Sequence, residues 1–142
     1  MPITMKGYAG RVTACTVTSD GRYAISVSED SALKVWDMSG ERVLASLHDH
    51  RDEVTACAVT PDGRRLVSAS KDRTLKIWDL ATFACVLTHH GDAPFTAVVA
   101  CDTFVVAGDT FGNVWFLEWP LSWRSYHGRQ TAPATGSTRE SG

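Results

Sequence analysis

Short runs of small apolar and β-branched residues recur along most of the chain, each cut off by a polar turn. Val12 to Thr18 is the first, ended by Ser19-Asp20-Gly21-Arg22. Tyr23 to Val27 follows, then a Ser28-Glu29-Asp30 corner, Leu33 to Asp37, a Met38 to Glu41 turn, and Val43 to Leu47. Runs of this length bounded by Asp-Gly and Ser-Gly signals predict four strands joined by tight turns, an antiparallel meander. The runs lack the apolar/polar alternation of a sheet with one wet face. VTACAV and RLVSAS suit a sheet covered on both faces.

The pattern repeats. VTACTVTSDGRYAISVSEDSALKVWDM, from Val12 to Met38, aligns without a gap to VTACAVTPDGRRLVSASKDRTLKIWDL, from Val54 to Leu80, 42 residues later. A period of this size marks an array in which one unit cannot bury its own apolar faces. The second meander predicts strands at Val54 to Thr60, Arg65 to Ser70, Thr74 to Asp79 and Phe83 to Leu87. Pro61 and Gly63 form its hairpin, since proline presets φ and glycine tolerates positive φ. A third, worn copy matches at Phe95 to Ala100, Thr103 to Ala107 and Val114 to Leu117, with Phe111 at the place of Asp30 and Asp72. Leu121 to Tyr126 is the candidate fourth strand. The organisation read from this is a latch strand and loop at 1–11, blades at 12–52, 53–92 and 93–127, and a Gly, Ser, Thr and Pro-rich disordered tail at 128–142.

Of the 142 residues, 44% are hydrophobic and 21% charged, which fits a packed domain, and the formal charge of −2 favours neither nucleic acid nor an anionic membrane. The start has no secretory h-region and no apolar run reaches membrane-spanning length, so a cytoplasmic location is expected. Cys15, Cys57, Cys85 and Cys101 form no CxxC pair. Cys15 and Cys57 share a repeat position and read as small buried hydrophobes, with all four thiols reduced.

The Trp36-Asp37 and Trp78-Asp79 dipeptides, the Asp30 and Asp72 corners and the Asp-Gly turns resemble the WD-repeat β-propeller family over roughly residues 1 to 126. The resemblance implies an all-β fold of about three four-stranded antiparallel blades. It also implies a hydrogen-bonded chain inside each blade: His50, Ser68, Asp72 and Trp78 in the second, and Ser26, Asp30 and Trp36 in the first, where Tyr8 stands in the histidine place. The third repeat lacks these residues. AGDTFGNVWFLEW also resembles the degenerate last blade of propellers at the end of large bacterial NTPase-linked signalling proteins, although no Gly-x-x-x-x-Gly-Lys-Ser/Thr loop is present.

Two chemical readings compete with a structural one. His48, His50, His89 and His90, with Asp49 or Asp92, have the residue types of a zinc set. They fall where the family places inter-blade loops, and no second fixed pair accompanies them, so no metal is expected. Ser68, His50 and Asp72 have the residue types of a hydrolase, but the resemblance puts them inside a blade rather than at a cleft, so neither enzyme activity nor a cofactor is expected. Trp115, Trp119, Trp123, Phe116 and Tyr126 form an aromatic group that either closes a seam or anchors a partner.

Three blades are too few to close a ring, since propellers typically have about four to eight. The expected function is a non-enzymatic protein-interaction scaffold, its ring completed head to tail by a dimer or trimer of this chain. Ile3 to Lys6 would latch onto a neighbour. The alternative is a C-terminal fragment of a sensor propeller in a larger signalling NTPase. The family reads protein or peptide ligands on the face lined by inter-blade loops, which implies Arg11, Thr13 and Glu29 in the first blade, Glu53, Thr55 and Lys71 in the second, and Pro94, Thr96 and Thr110 in the third.

Overall fold

The computed structural model describes residues 10–101, 103–118 and, as backbone only, 125–127. Twelve strands in these segments form three antiparallel sheets of four. The first contains β1 (Val12–Val17), β2 (Tyr23–Ser28), β3 (Leu33–Asp37) and β4 (Arg42–Leu47). The second contains β5 (Val54–Val59), β6 (Arg65–Ser70), β7 (Thr74–Asp79) and β8 (Ala84–His90). The third contains β9 (Phe95–Ala100), β10 (Phe104–Asp109), β11 (Val114–Glu118) and β12 (Ser125–His127). Each sheet runs in chain order, so strands consecutive in the chain are antiparallel neighbours within it. The expected latch segment, Trp119, Trp123 and the expected disordered tail lie outside the described residues.

The β1–β2 and β5–β6 hairpins are built alike. The Thr18 and Thr60 hydroxyls donate to Asp20 and Asp62 Oδ1 at 2.7 Å each, and the same carboxylate oxygens accept the Arg22 and Arg64 amides at 2.9 Å. Gly21 and Gly63 carry the positive φ of the turn, 74° and 73°, which is why glycine recurs there.

The sheets stack face to face. Ile25, Val27, Leu33 and Val35 of the first pack on Val54, Leu66, Trp78 and Leu80 of the second. Val67, Ala69, Leu75 and Ile77, on the other side of the second sheet, pack on Phe95, Val98, Val105, Trp115 and Leu117 of the third. The middle blade is thus covered on both sides, and β6 and β7 are buried along nearly their whole length. That accounts for their missing alternation.

Each first strand carries a bulge at the same place. Val12 pairs with Ser28 and Ala14 with Val27, Val54 with Ser70 and Ala56 with Ala69, and Phe95 with Asp109 and Ala97 with Gly108. Thr13, Thr55 and Thr96 are the extra residues, left without a ladder partner. Freed in this way, the Thr13 hydroxyl donates across the seam to the Val54 carbonyl at 2.5 Å, and the Thr55 hydroxyl to the Phe95 carbonyl at 2.6 Å.

Two expectations change. β8 extends through His90, which pairs with Thr74, so His89 and His90 belong to a strand and not to an inter-blade loop. The reason is local: Thr74 opens β7 one residue earlier than Leu33 opens β3, so the outer strand of the second blade finds backbone partners further along. Cys15 is exposed while Cys57 is largely buried, because only the second sheet has a neighbour on that side.

Phe95 is fully buried and meets Trp115 edge to face, with ring centroids 5.8 Å apart. Phe95→Ala is expected to lose roughly 3–5 kcal/mol, read as a drop in the midpoint of denaturant unfolding at unchanged slope.

Candidate functional site

The middle blade holds a buried polar chain built from four places in the sequence. Trp78 Nε1 on β7 donates to Ser68 Oγ on β6 at 2.9 Å, and Ser68 Oγ lies 2.6 Å from His50 Nε2. His50 Nδ1 is 2.9 Å from Asp72 Oδ2. Because the Ser68 oxygen already accepts from indole, its own hydrogen goes to His50 Nε2. The ring is then the Nδ1–H tautomer, donating to the carboxylate. Asp72 also accepts the Arg51 amide at 3.0 Å, the Thr74 hydroxyl at 2.6 Å and the Thr74 amide at 2.9 Å.

Burial pushes the His50 imidazolium pKa down, against the pull of Asp72. Burial alone would raise the Asp72 carboxyl, but the Thr74 hydroxyl, the Arg51 amide and His50 outweigh it and hold the pKa at about 2. The pair is therefore a neutral imidazole on an ionised carboxylate. Ser68 is fully buried and bonded to both Trp78 and His50, so the chain ties β6 to β7 and to the segment that precedes the second sheet.

The other two blades differ. In the first, Trp36 Nε1 donates to Ser26 Oγ at 2.8 Å. Asp30 is exposed, and its Oδ1 accepts from the Ser28 hydroxyl and, at 3.3 Å, from the Ala32 amide. Tyr8 lies outside the described residues. The third blade has a substitute that the repeat alignment does not reveal. Asp109, at the place of Ser28 and Ser70, accepts Trp115 Nε1 at 2.9 Å and Asn113 Nδ2 at 3.2 Å on one oxygen, and the Phe111 and Asn113 amides at 2.9 Å each on the other. Burial acts to raise its pKa, but these donors prevail and lower it. The only signal in the sequence is Asp109 four residues before Asn113, with Gly112 between them at φ 83°. Trp115 meanwhile stands where Lys76 stands in the second blade, two residues on from Asn113. It packs edge-on to His89 at 5.0 Å, within the seam, while Phe116 is exposed.

Six of the nine residues expected on the ligand face share one frame. The Glu29 amide donates to the Arg11 carbonyl at 2.9 Å, Lys71 to Glu53 at 2.9 Å and Thr110 to Pro94 at 3.0 Å, so each pair closes the same corner of its blade. The side chains differ. Arg11 pairs with Glu29 at 3.4 Å, Lys71 with Glu53 at 3.0 Å with the sign order reversed, and Pro94 and Thr110 are neutral. Thr13 and Thr55 turn into the seams, whereas Thr96 is exposed with its hydroxyl 3.4 Å from the Gly108 carbonyl. Beside His50 an open cleft of about 400 Å³ is lined by Asp49, Arg51, Thr74, Lys76, Thr88 and His90. Lys76 bridges Asp49 at 3.3 Å and the Thr88 hydroxyl at 3.1 Å, so its charge is balanced within the cleft. Among the described residues no group of three or more His, Cys, Asp or Glu side chains is placed to hold a metal ion.

Asp72→Ala leaves His50 and the Arg51 and Thr74 amides short of an acceptor and is expected to cost roughly 1–3 kcal/mol, read by thermal unfolding. Both pKa shifts are depressions, so the stability they carry is complete above the unfolded values. His50 loses its share as pH falls below 6.5, and Asp72 loses its share between 3.8 and about 2. Asp72→Asn is expected to flatten the acid limb below pH 4 in a series of unfolding midpoints.

Comparison with known proteins agrees with this geometry. The family model for the WD domain, G-beta repeat, matches residues 2–37, and that for the TEP-1 C-terminal beta-propeller matches residues 50–119. No curated protein sequence matches the chain. The crystal structure of the Myceliophteria thermophila Cps50 (Swd1) beta-propeller domain superposes with a TM-score of 0.79 at 19% identity, covering 89% of this chain. The chain spans only 41% of that domain. Altogether 1161 solved chains match, so likeness of fold does not select a partner. Two repeat-spaced sheets with Trp-Asp third strands, a third sheet stacked on them and the matching family models together show that this chain belongs to the WD-repeat β-propeller family.

Proposed function

We propose that this chain is a non-enzymatic protein-interaction scaffold, its blades forming part of a closed ring that reads a polar protein or peptide on the face of Arg11, Glu29, Glu53, Lys71, Pro94 and Thr110. The observation that carries this reading is the constant backbone corner with changing side chains. One hydrogen bond recurs in all three blades while the side-chain pair goes from cation–anion to anion–cation to neutral. Exposed ion pairs contribute only about 0–1 kcal/mol to stability, so a ligand can exchange them at little cost to the fold. A charged ligand would then be selected by pattern rather than by apolar area.

The ring itself is completed by head-to-tail association of a dimer or trimer of this chain. A second reading, a fragment of the ligand-sensing propeller of a larger signalling NTPase, is favoured by one observation: the chain spans 41% of the superposed propeller domain. In that case the missing blades are covalent.

Two measurements test these statements. Peptides selected from a displayed random library on the immobilised chain are expected to lose at least tenfold in affinity on Lys71→Glu and to keep it on Arg64→Ala, at the opposite hairpin; equal loss on both would refute the face. Light scattering coupled to size exclusion is expected to give a discrete dimer or trimer, whereas a polydisperse sample supports the fragment reading.

A further inference from the structure

The middle blade is an internal standard for what each blade face becomes when it has a neighbour. On the side facing the first blade, Val54 is 0% and Leu80 8% exposed. Their repeat counterparts on the first blade, Val12 and Met38, are 51% and 41% exposed. Between Val12 and Met38 lies an apolar groove of about 220 Å³, floored by Cys15, Ala24 and Trp36. On the side facing the third blade, Ile77 is 1% exposed, while its counterpart on the third, Phe116, is 40% exposed, and Val99, on the far side of Val106 in the same sheet, is 63% exposed. The first and third blades thus end in two apolar faces of different shape, one grooved and one carrying projecting side chains.

The seam hydrogen bonds run in one direction. Thr13 donates to Val54 and Thr55 to Phe95, each from the bulge residue of one blade to the carbonyl opening the next. The next donor in that series is Thr96, exposed on the third blade, and the next acceptor is the carbonyl of the residue that opens a blade. In the first blade that residue is Val12. Donor and acceptor therefore stand at opposite ends of the arc, unlike ends that fit each other and not themselves.

Resting on the association proposed above, we propose that the third blade's free face docks on the first blade's free face of a second copy, continuing the seam already formed twice within the chain. Phe116 and Val99 of one copy enter the Val12–Met38 groove of the next, and the Thr96 hydroxyl donates to the Val12 carbonyl. Burial of the projecting side chains drives the contact, and the threonine sets its register. A contact between two first blades or two third blades would set groove on groove or ridge on ridge, and would leave the Thr96 hydroxyl with only the Gly108 carbonyl of its own blade.

Charge on each face separately distinguishes these geometries, with mass read by light scattering on the full chain. Met38→Glu and Phe116→Glu each put a carboxylate into the contact from an exposed position, so each alone is expected to run as a folded monomer that keeps the wild-type far-ultraviolet circular dichroism and unfolds at a temperature independent of concentration. An equimolar mixture retains one intact seam, between the third blade of Met38→Glu and the first blade of Phe116→Glu, and is expected to recover the two-copy mass. If either single variant keeps the wild-type mass, or if the mixture stays monomeric, the docking is wrong while association of the wild type still stands. A wild-type monomer at every concentration overturns the association itself. Val99→Glu replaces Phe116→Glu should the latter fail to fold.

Discussion

Four short strands joined by hairpins make a sheet with two faces, and in this chain both faces are apolar. Such a sheet has no wet side to offer, so it is stable only when other sheets cover it. Every larger feature follows from that constraint. The middle blade, covered on both sides, is where β6 and β7 are buried along nearly their whole length and where the polar chain is complete. Among the described residues the outer blades are covered on one side each, and their large exposed apolar side chains include Val12, Val99 and Phe116.

Stacking by apolar area alone would let the sheets slide. What fixes their register is polar and directional: a bulge in each first strand pushes a threonine out of the ladder and aims its hydroxyl at a carbonyl of the next blade. Within a blade the same kind of device pins the strands. His50 enters from the loop before the second blade and ties Ser68 on β6 to Asp72 at the corner, while Trp78 reaches Ser68 from β7. A buried carboxylate is tolerable there because it is surrounded by donors. The third blade reaches a comparable end with different residues. Asp109 takes the indole of Trp115 directly, without histidine or serine, since its two oxygens can accept from four donors at once.

The repeat was legible because turn chemistry is local. Thr18-Ser19-Asp20-Gly21 and Thr60-Pro61-Asp62-Gly63 need no distant partner to dictate a hairpin, and the strands between them have nowhere else to fold. Less legible was anything set by pairing between segments. The end of β8 depends on where β7 begins, so His89 and His90 sat in a loop by reading and in a strand by hydrogen bonding. Asp109 is hidden for a similar reason: the repeat places its acid at the position of Phe111, whereas the geometry supplies one two residues earlier, with Trp115 shifted to meet it. Asp30 matches the motif by residue type yet lies exposed, its carboxylate accepting from Ser28 and Ala32 and from no histidine among the described residues.

By itself the sequence determined the repeat, the hairpins, the all-β class and the Trp-Asp signature, all of them matters of spacing and of φ at a few turn positions. Tertiary structure alone decided which apolar residues are core and which are surface. Cys15 and Cys57, Val12 and Val54, and Met38 and Leu80 hold equivalent places in near-identical repeats, and they differ in burial only because one blade has a neighbour there and the other does not. Spacing is a property of the chain at each point along its length. Burial is a property of what stands on the other side.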